Sequence, residues 1–301
     1  MAPSSPYRGR VVVGFDGSPA SATAAAWAAE EATVRGRGLT VVHAILPPVM
    51  TGGLGVGLPA SAELVEQMEE GAREQVRELV GTLDATDVEV QVTIGGPSGV
   101  LLEASEEADL VVIGSRGRGG FAGLLIGSVS AQVAAHAECP VVVVRGVAAA
   151  GARDVVVGVD GSDTAQAAIA FAFDEASRRG WSVIAVHAWD IPAYDLLIVP
   201  NGPVPIPLAD VADDEVRLTA ELLAGFRESY PDVDVQEHLV HGPPVSSLLD
   251  ASPNPAMIVV GTRGHGPAIG ALLGSVSNGV LHKAHVPVAV IARPATPLEA
   301  A

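Results

Sequence analysis

Gly114-Ser115-Arg116-Gly117, nine further residues, then Gly127-Ser128: this spacing recurs 147 positions later as Gly261-Thr262-Arg263-Gly264, nine residues, Gly274-Ser275. Each copy follows an apolar run, Leu110-Val111-Val112-Ile113 or Met257-Ile258-Val259-Val260, that reads as a buried strand. Each leads into a predicted helix, opened by Gly127-Ser128-Val129-Ser130 or Gly274-Ser275-Val276-Ser277. Glycine permits close backbone approach, and the first turn of a helix offers unpaired N–H groups to an anion. Arg116 and Arg118 in one loop, Arg263 and His265 in the other, add positive charge at the same place. The spacing therefore predicts two anion sites of one design.

The duplication extends outward from the glycines. Val11-Val12-Val13-Gly14-Phe15-Asp16-Gly17-Ser18 matches Val155-Val156-Val157-Gly158-Val159-Asp160-Gly161-Ser162, and Thr40-Val41-Val42-His43-Ala44 matches Ile184-Ala185-Val186-His187-Ala188. Valine-rich runs alternate with longer amphipathic stretches, the rhythm of a parallel sheet with helices on both faces. In the first copy this predicts strands at 10–15, 39–45, 88–93, 109–113 and 141–145, with helices at 19–35, 62–84, 98–107 and 127–137. The domains are expected at 1–147 and 148–301, joined through the short Ala/Gly-rich segment 146–152. Stretches 47–60 and 190–209 follow the second strand of each copy, at the carboxyl edge where such sheets bind ligands, and read as rim loops.

Composition narrows the chemistry. A net charge of −18 argues against nucleic-acid and anionic-membrane binding, and no apolar run reaches membrane-spanning length. The N-terminal ten residues lack a signal core, so a cytoplasmic location is expected. Lys283 is the single lysine, which removes the P-loop and kinase-type phosphate lysines. The single cysteine, Cys139, leaves no intrachain disulfide and reads as a small packed residue.

Asp16 and Asp160 end the first strand of each copy; either is a helix-capping acid or a carboxylate beside a ligand, and the recurrence favours the second role. His43 and His187 read as packed strand residues, Glu30-Glu31 and Asp174-Glu175 as solvated helix faces, and 63–78 as an exposed acidic flank. Gly117 to Ala122 satisfies a dinucleotide fingerprint, but it follows the fourth strand and its copy breaks the pattern, so it is set aside.

These residues together resemble the universal stress protein family in its tandem, actinobacterial-like form, over positions 8–145 and 153–293. The resemblance implies an α/β fold of two doubly wound domains, each a five-stranded parallel sheet of order 3-2-1-4-5, related to adenine-nucleotide α-hydrolase-like folds. It implies ATP, two per chain, with Mg2+ or Mn2+ at the phosphates near Ser128 and Ser275. Asp16 would lie near the adenosine, Ala44 would offer backbone to the adenine, and Gly114, Gly117, Gly127, Ser128, Val129 and Ser130 would hold the phosphates beside Arg116. Asp160, Ala188, Gly261, Arg263, Gly264, Gly274, Ser275, Val276 and Ser277 match them in the second copy. His265 and Pro267 make that loop different, so unequal affinities are expected.

No catalytic residue is expected. The implied role is a nucleotide-dependent regulator of the stress response, with slow ATP hydrolysis or nucleotidyl transfer as the alternative and a nucleotide-free interaction module as a further rival. The fifth strands, Val141–Val144 and Val288–Ile291, are rich in valine and predict pairing with one another, or a homodimer.

Overall fold

The computed structural model describes residues 5–48, 50–51, 57–58, 61–118, 126–189, 198–199, 202–203, 208–263 and 273–292. Gly264, His265 and Pro267 therefore lie outside the described residues, as do Gly119 to Ala122 of the discarded fingerprint. Two compact units emerge. One holds the first copy through Val147 together with the segment that starts at His285; the other runs from Ala148 to Ala284.

The first copy contains β1 (Val11–Gly14), α1 (Pro19–Arg35), β2 (Leu39–Ile45), β3 (Met50–Thr51), β4 (Gly57–Leu58), α2 (Ala62–Val80), β5 (Val88–Ile94), α3 (Pro97–Ser105), β6 (Leu110–Gly114), α4 (Ser128–His136) and β7 (Val141–Val144). Its sheet runs β5-β2-β1-β6-β7, all parallel, which is the order 3-2-1-4-5. Val11, Val12 and Val13 on β1 and Leu110 to Val112 on β6 are fully buried, because helices cover the central strands. The second copy contributes β8 (Asp154–Gly158), α5 (Asp163–Arg179), β9 (Ser182–Trp189), β10 (Ile198–Val199), β11 (Gly202–Pro203), α6 (Leu208–Ser229), β12 (Val235–His241), α7 (Pro244–Asp250), β13 (Pro255–Gly261), α8 (Ser275–Lys283) and β14 (Val288–Ile291). Its strands repeat the order as β12-β9-β8-β13.

Strand β14 lies in the first unit. It pairs antiparallel with β7, Val288 opposite Val143 and Val290 opposite Val141, so the two fifth strands meet as the valine runs predict. The segments 47–60 and 190–209 contain two-residue antiparallel pairs, β3 with β4 and β10 with β11. Helix α2 stops at Val80, four residues before the predicted end, where Gly81 caps it.

The sequence reading of the paired acids fails at one member of each pair. Glu31 and Glu175 are fully buried, bonded to Arg35 and Arg179 one helical turn on. Helical spacing explains it. Positions 28, 31, 32 and 35 fall on one face of α1, and Ala28 and Ala32 on that face are core residues. Glu30 is solvent-exposed as expected, and Asp174 pairs with Arg178 at the surface of α5. The acidic flank of α2 is exposed as read, with Arg73 and Arg77 bonded to Glu69 and Glu74. Burial raises the Cys139 thiol to about 12, which fits a packed and inert residue.

Candidate functional site

Four chain segments converge at the carboxyl edge of the first sheet: the end of β1, the end of β2, the loop after β6 and the first turn of α4. Between them lies a cavity of about 630 Å3. Its lining includes Asp16, Ala44, Gly114, Arg116, Gly117, Gly127, Ser128, Val129 and Ser130, every residue of the first copy singled out from sequence. Arg118, read from sequence as part of the loop's positive charge, lines it too, and so do Phe15, His43 and Leu101, which were not assigned to it. Leu101 and Phe15 gave no signal, since an apolar residue facing a crevice reads like one in the core. His43 read as a packed strand residue, because no second ligand-type side chain lies near it in sequence.

The Asp-Gly-Ser turn is built by Gly17 and Gly161, which take φ of 80° and 79°, backbone angles that favour glycine. Ser18 and Ser162 then cap α1 and α5, accepting from the N–H groups of Ser21 and Ala165. Asp16 is thus free to reach across. Its Oδ1 accepts the Ser18 N–H at 3.0 Å and its Oδ2 accepts the Arg118 N–H at 2.9 Å, which ties the glycine loop to β1. Burial pushes this carboxyl up, yet the hydrogen bonds from Ser18, Arg118 and Ser21 outweigh it and hold the pKa below the ordinary carboxylate value.

The loop closes on itself in both units. Gly127 N–H donates to the Ser115 carbonyl at 2.8 Å, and Gly274 N–H to the Thr262 carbonyl at 2.7 Å. Ser130 is buried, and its hydroxyl donates to the Gly114 carbonyl at 2.7 Å; Ser277 donates likewise to Thr262 and Gly274. These two hydroxyl protons hold the loop, which leaves the main-chain N–H groups as the donors that Ser130 and Ser277 can offer an anionic ligand. Ser128 and Ser275, in contrast, are exposed at the first position of α4 and α8. Neither helix has a side-chain cap, so the N–H groups of the first turn face outward without one.

Positive charge frames the mouth. Arg116 and Arg118 are exposed, and Arg118 Nη2 donates to Gln75 Oε1 of α2 at 3.0 Å. Arg145, just past β7, is a further cation close by: burial and the like charge of Arg116 lower its pKa. At the other end, Phe15 N–H donates to the Val42 carbonyl at 2.9 Å, and Ala44 lies two residues beyond on β2.

In the second unit Asp160 Oδ1 accepts both the main-chain N–H of Ser162, at 3.0 Å, and its hydroxyl, at 2.6 Å. Thr164, which stands where the first unit has Ala20, donates its hydroxyl to the Arg263 carbonyl. Ala188 sits on β9 opposite Val240. Gly261 ends β13, and Gly274, Ser275 and Val276 form the start of α8. Gly264 is outside the described residues. Among the described residues no cluster of three His, Cys, Asp or Glu could hold a metal, and no helix is long and apolar enough to cross a membrane.

Fold and cavity define a tandem α/β protein whose glycine loop and helix N-terminus close a crevice at the sheet's carboxyl edge. The sequence profile of the universal stress protein family matches residues 8–145 and again 151–292, and the chain belongs to that family. A universal stress protein of Mycobacterium tuberculosis is 40% identical over 292 residues, spanning 93% of this chain and 96% of that one. One from Mycolicibacterium smegmatis is 37% identical over 295 residues, with 93% and 96% covered. The crystal structure of a universal stress protein from Archaeoglobus fulgidus shares the fold at TM-score 0.68 and 23% identity, covering 95% of this chain and 96% of its own.

Proposed function

We propose that this protein binds ATP at the carboxyl edge of each copy and acts as a nucleotide-dependent regulator of the stress response. The observation that carries the reading is the convergence of nine glycine-motif, serine, arginine and strand-end residues on one cavity of about 630 Å3. Arg116 and Arg118 give that mouth a charge opposite to the chain's −18, which suits a polyphosphate. The uncapped first turn of α4 supplies N–H donors at its floor. Gly117 fits the same account, since it packs directly on Asp16 and leaves no room there for a side chain.

Asp160, Ala188, Gly261, Arg263, Gly264, Gly274, Ser275, Val276 and Ser277 form the corresponding second site, for two nucleotides per chain. Mg2+ or Mn2+ accompanies the phosphates, with the exposed hydroxyls of Ser128 and Ser275 as its contacts; the ion would shield their negative charge. Regulation is favoured over catalysis by the state of Asp16. It is the single carboxylate in the described lining, and its hydrogen bonds hold it ionised and weakly basic. A general base needs a pKa close to the working pH. The setting is the cytoplasm, with a homodimer as the assembly that nucleotide occupancy would control.

The test is to denature freshly purified protein and quantify any released nucleotide per chain, then titrate the emptied protein with Mg-ATP. Two ATP per chain is the expected result. A single ATP would mark unequal sites, and ADP would favour slow hydrolysis. Absence of nucleotide together with failure to bind Mg-ATP would overturn the reading in favour of an interaction module.

A further inference from the structure

His43 is the lining residue that phosphate binding leaves unexplained. It is 8% exposed, faces the first cavity, and its Nδ1 is buried without a hydrogen-bond partner. Buried polar nitrogens are almost always paired. The second unit shows how the fold can pair this one: His187 Nδ1 lies 2.7 Å from the Val159 carbonyl oxygen, so the proton sits on Nδ1 there. The equivalent residue in the first unit is Phe15, whose ring stands edge-on to the imidazole with centroids 6.0 Å apart. The first unit thus keeps beside its cavity an imidazole whose tautomer no main-chain carbonyl fixes.

Two charged groups act on it from opposite directions. Burial, and then the Arg118 guanidinium on the loop after β6, hold the His43 pKa below the ordinary histidine value; Asp16, at the end of β1, pulls it up. Arg116, on the same loop as Arg118, is the other ionisable group in the cavity lining; the remaining neighbouring elements add none among the described residues. β5 places Val92 in register with His43, α3 presents Pro97 and Leu101, and α2 reaches the site through Gln75, the acceptor for Arg118.

We propose that His43 is a ligand-binding residue of the first cavity and that it takes up a proton when a polyphosphate chain occupies the site. This rests on the nucleotide reading above. A phosphate chain that engages Arg118 cancels the charge that disfavours the imidazolium and brings anionic oxygens towards the ring. Asp16, the one carboxylate in the described lining, then remains to attract the imidazolium, while the phosphate oxygens that Arg118 engages also neutralise Arg116 on the same loop. The imidazolium carries an N–H on both nitrogens, and ligand oxygens supply acceptors that the protein does not. Binding is therefore tighter as pH falls, and it consumes a proton from solvent.

Calorimetric titration of the full chain with Mg-ATP, in buffers of low and high ionisation enthalpy, reads this directly. At about pH 7 the wild type is expected to take up on the order of one proton at the first site, and its affinity there to fall by at most about tenfold per pH unit above that. His43→Gln should abolish that uptake and flatten the pH profile, while His187→Gln should retain both. Adenosine, which has no phosphates, should bind without uptake. Histidine-selective 15N spectra of the wild type supply a second readout should His43→Gln fail to fold: the His43 resonances should move to imidazolium values on addition of Mg-ATP. Mg-ATP binding with equal proton uptake in wild type and His43→Gln, or with His43 spectra unchanged, would overturn the proposal and leave the nucleotide reading standing. No binding of Mg-ATP by the wild type would overturn both.

Discussion

Gly114 and Gly117 stand three positions apart in one motif and serve different ends. A Cβ on Gly114 would meet main-chain atoms of Ala20 at 2.8 and 2.9 Å, at the start of α1. A Cβ on Gly117 would meet the Asp16 carboxylate instead. The first contact is helix against strand and cannot yield; the second is a side chain that can swing away, taking the Arg118 clamp with it. Gly114→Ala is therefore expected to lower stability by about 1–3 kcal/mol in urea unfolding. Gly117→Ala should keep most of its stability and lose Mg-ATP affinity at the first site by about tenfold or more, since about 1.4 kcal/mol suffices for that factor. Asp16→Asn tests the same clamp by pH. The Asp16 pKa is depressed in the folded state. Its stabilisation is thus present above the unfolded-state pKa and disappears as pH falls through the lower folded value. Melting temperatures of wild type and Asp16→Asn should differ near neutrality and converge in the acid range below the ordinary aspartate pKa. The motif made the first site largely legible in the sequence, because glycine spacing records backbone approach. It did not reveal that the Ser130 and Ser277 hydroxyls are spent on carbonyls, or that His43 lacks a partner, because both depend on distances of a few tenths of an ångström.

At the scale of the element, helix α1 shows where sequence reading by residue type goes astray. Glu31 sits on a face defined by Ala24, Ala28 and Ala32, and it is buried with Arg35, whose side chain is 8% exposed. An ion pair taken out of water is costly to break from one side, because the remaining charge is left uncompensated. Glu31→Ala should therefore cost about 3–5 kcal/mol in denaturant unfolding. Glu30→Ala, on the exposed face, should cost less than about 1 kcal/mol. Equal and small losses for both variants would show that the Glu31–Arg35 pair is hydrated in solution. Charge suggested a solvated face for both acids; the 3.6-residue period, applied to Glu31 itself, places it inside. Elsewhere periodicity and caps sufficed. Valine runs fixed the strands within a residue or so, and Ser18, Gly36, Ser162 and Gly180 marked helix ends. The short pairs β3–β4 and β10–β11 escaped, since two-residue strands have no period to detect.

For the whole molecule, the consequential feature is that the first unit takes strands from distant parts of the chain. Val141 to Val144 on β7 are all but fully buried, and one flank of β7 is occupied by β14, almost 150 residues downstream. A fragment ending at Val147 keeps β1, β2, β5, β6 and β7 and loses β14. Its β7 then becomes an open edge of four consecutive valines with no lysine, proline or bulge to guard it. Such an edge is a template for another strand. Fragment 1–147 is thus expected to self-associate through β7, read as a concentration-dependent mass by light scattering. A synthetic peptide spanning residues 285–292 should suppress that association, because it restores the antiparallel partner of β7. If the fragment were instead a monomer at every concentration, unaffected by the peptide, β14 would be dispensable to the first unit. The homodimer proposed above uses another surface in either case, because β6 and β14 already flank β7 in the full chain. Association of the fragment alone, with the full chain monomeric, would mean that the duplication satisfies within one chain the edge that a single copy must satisfy with a second molecule.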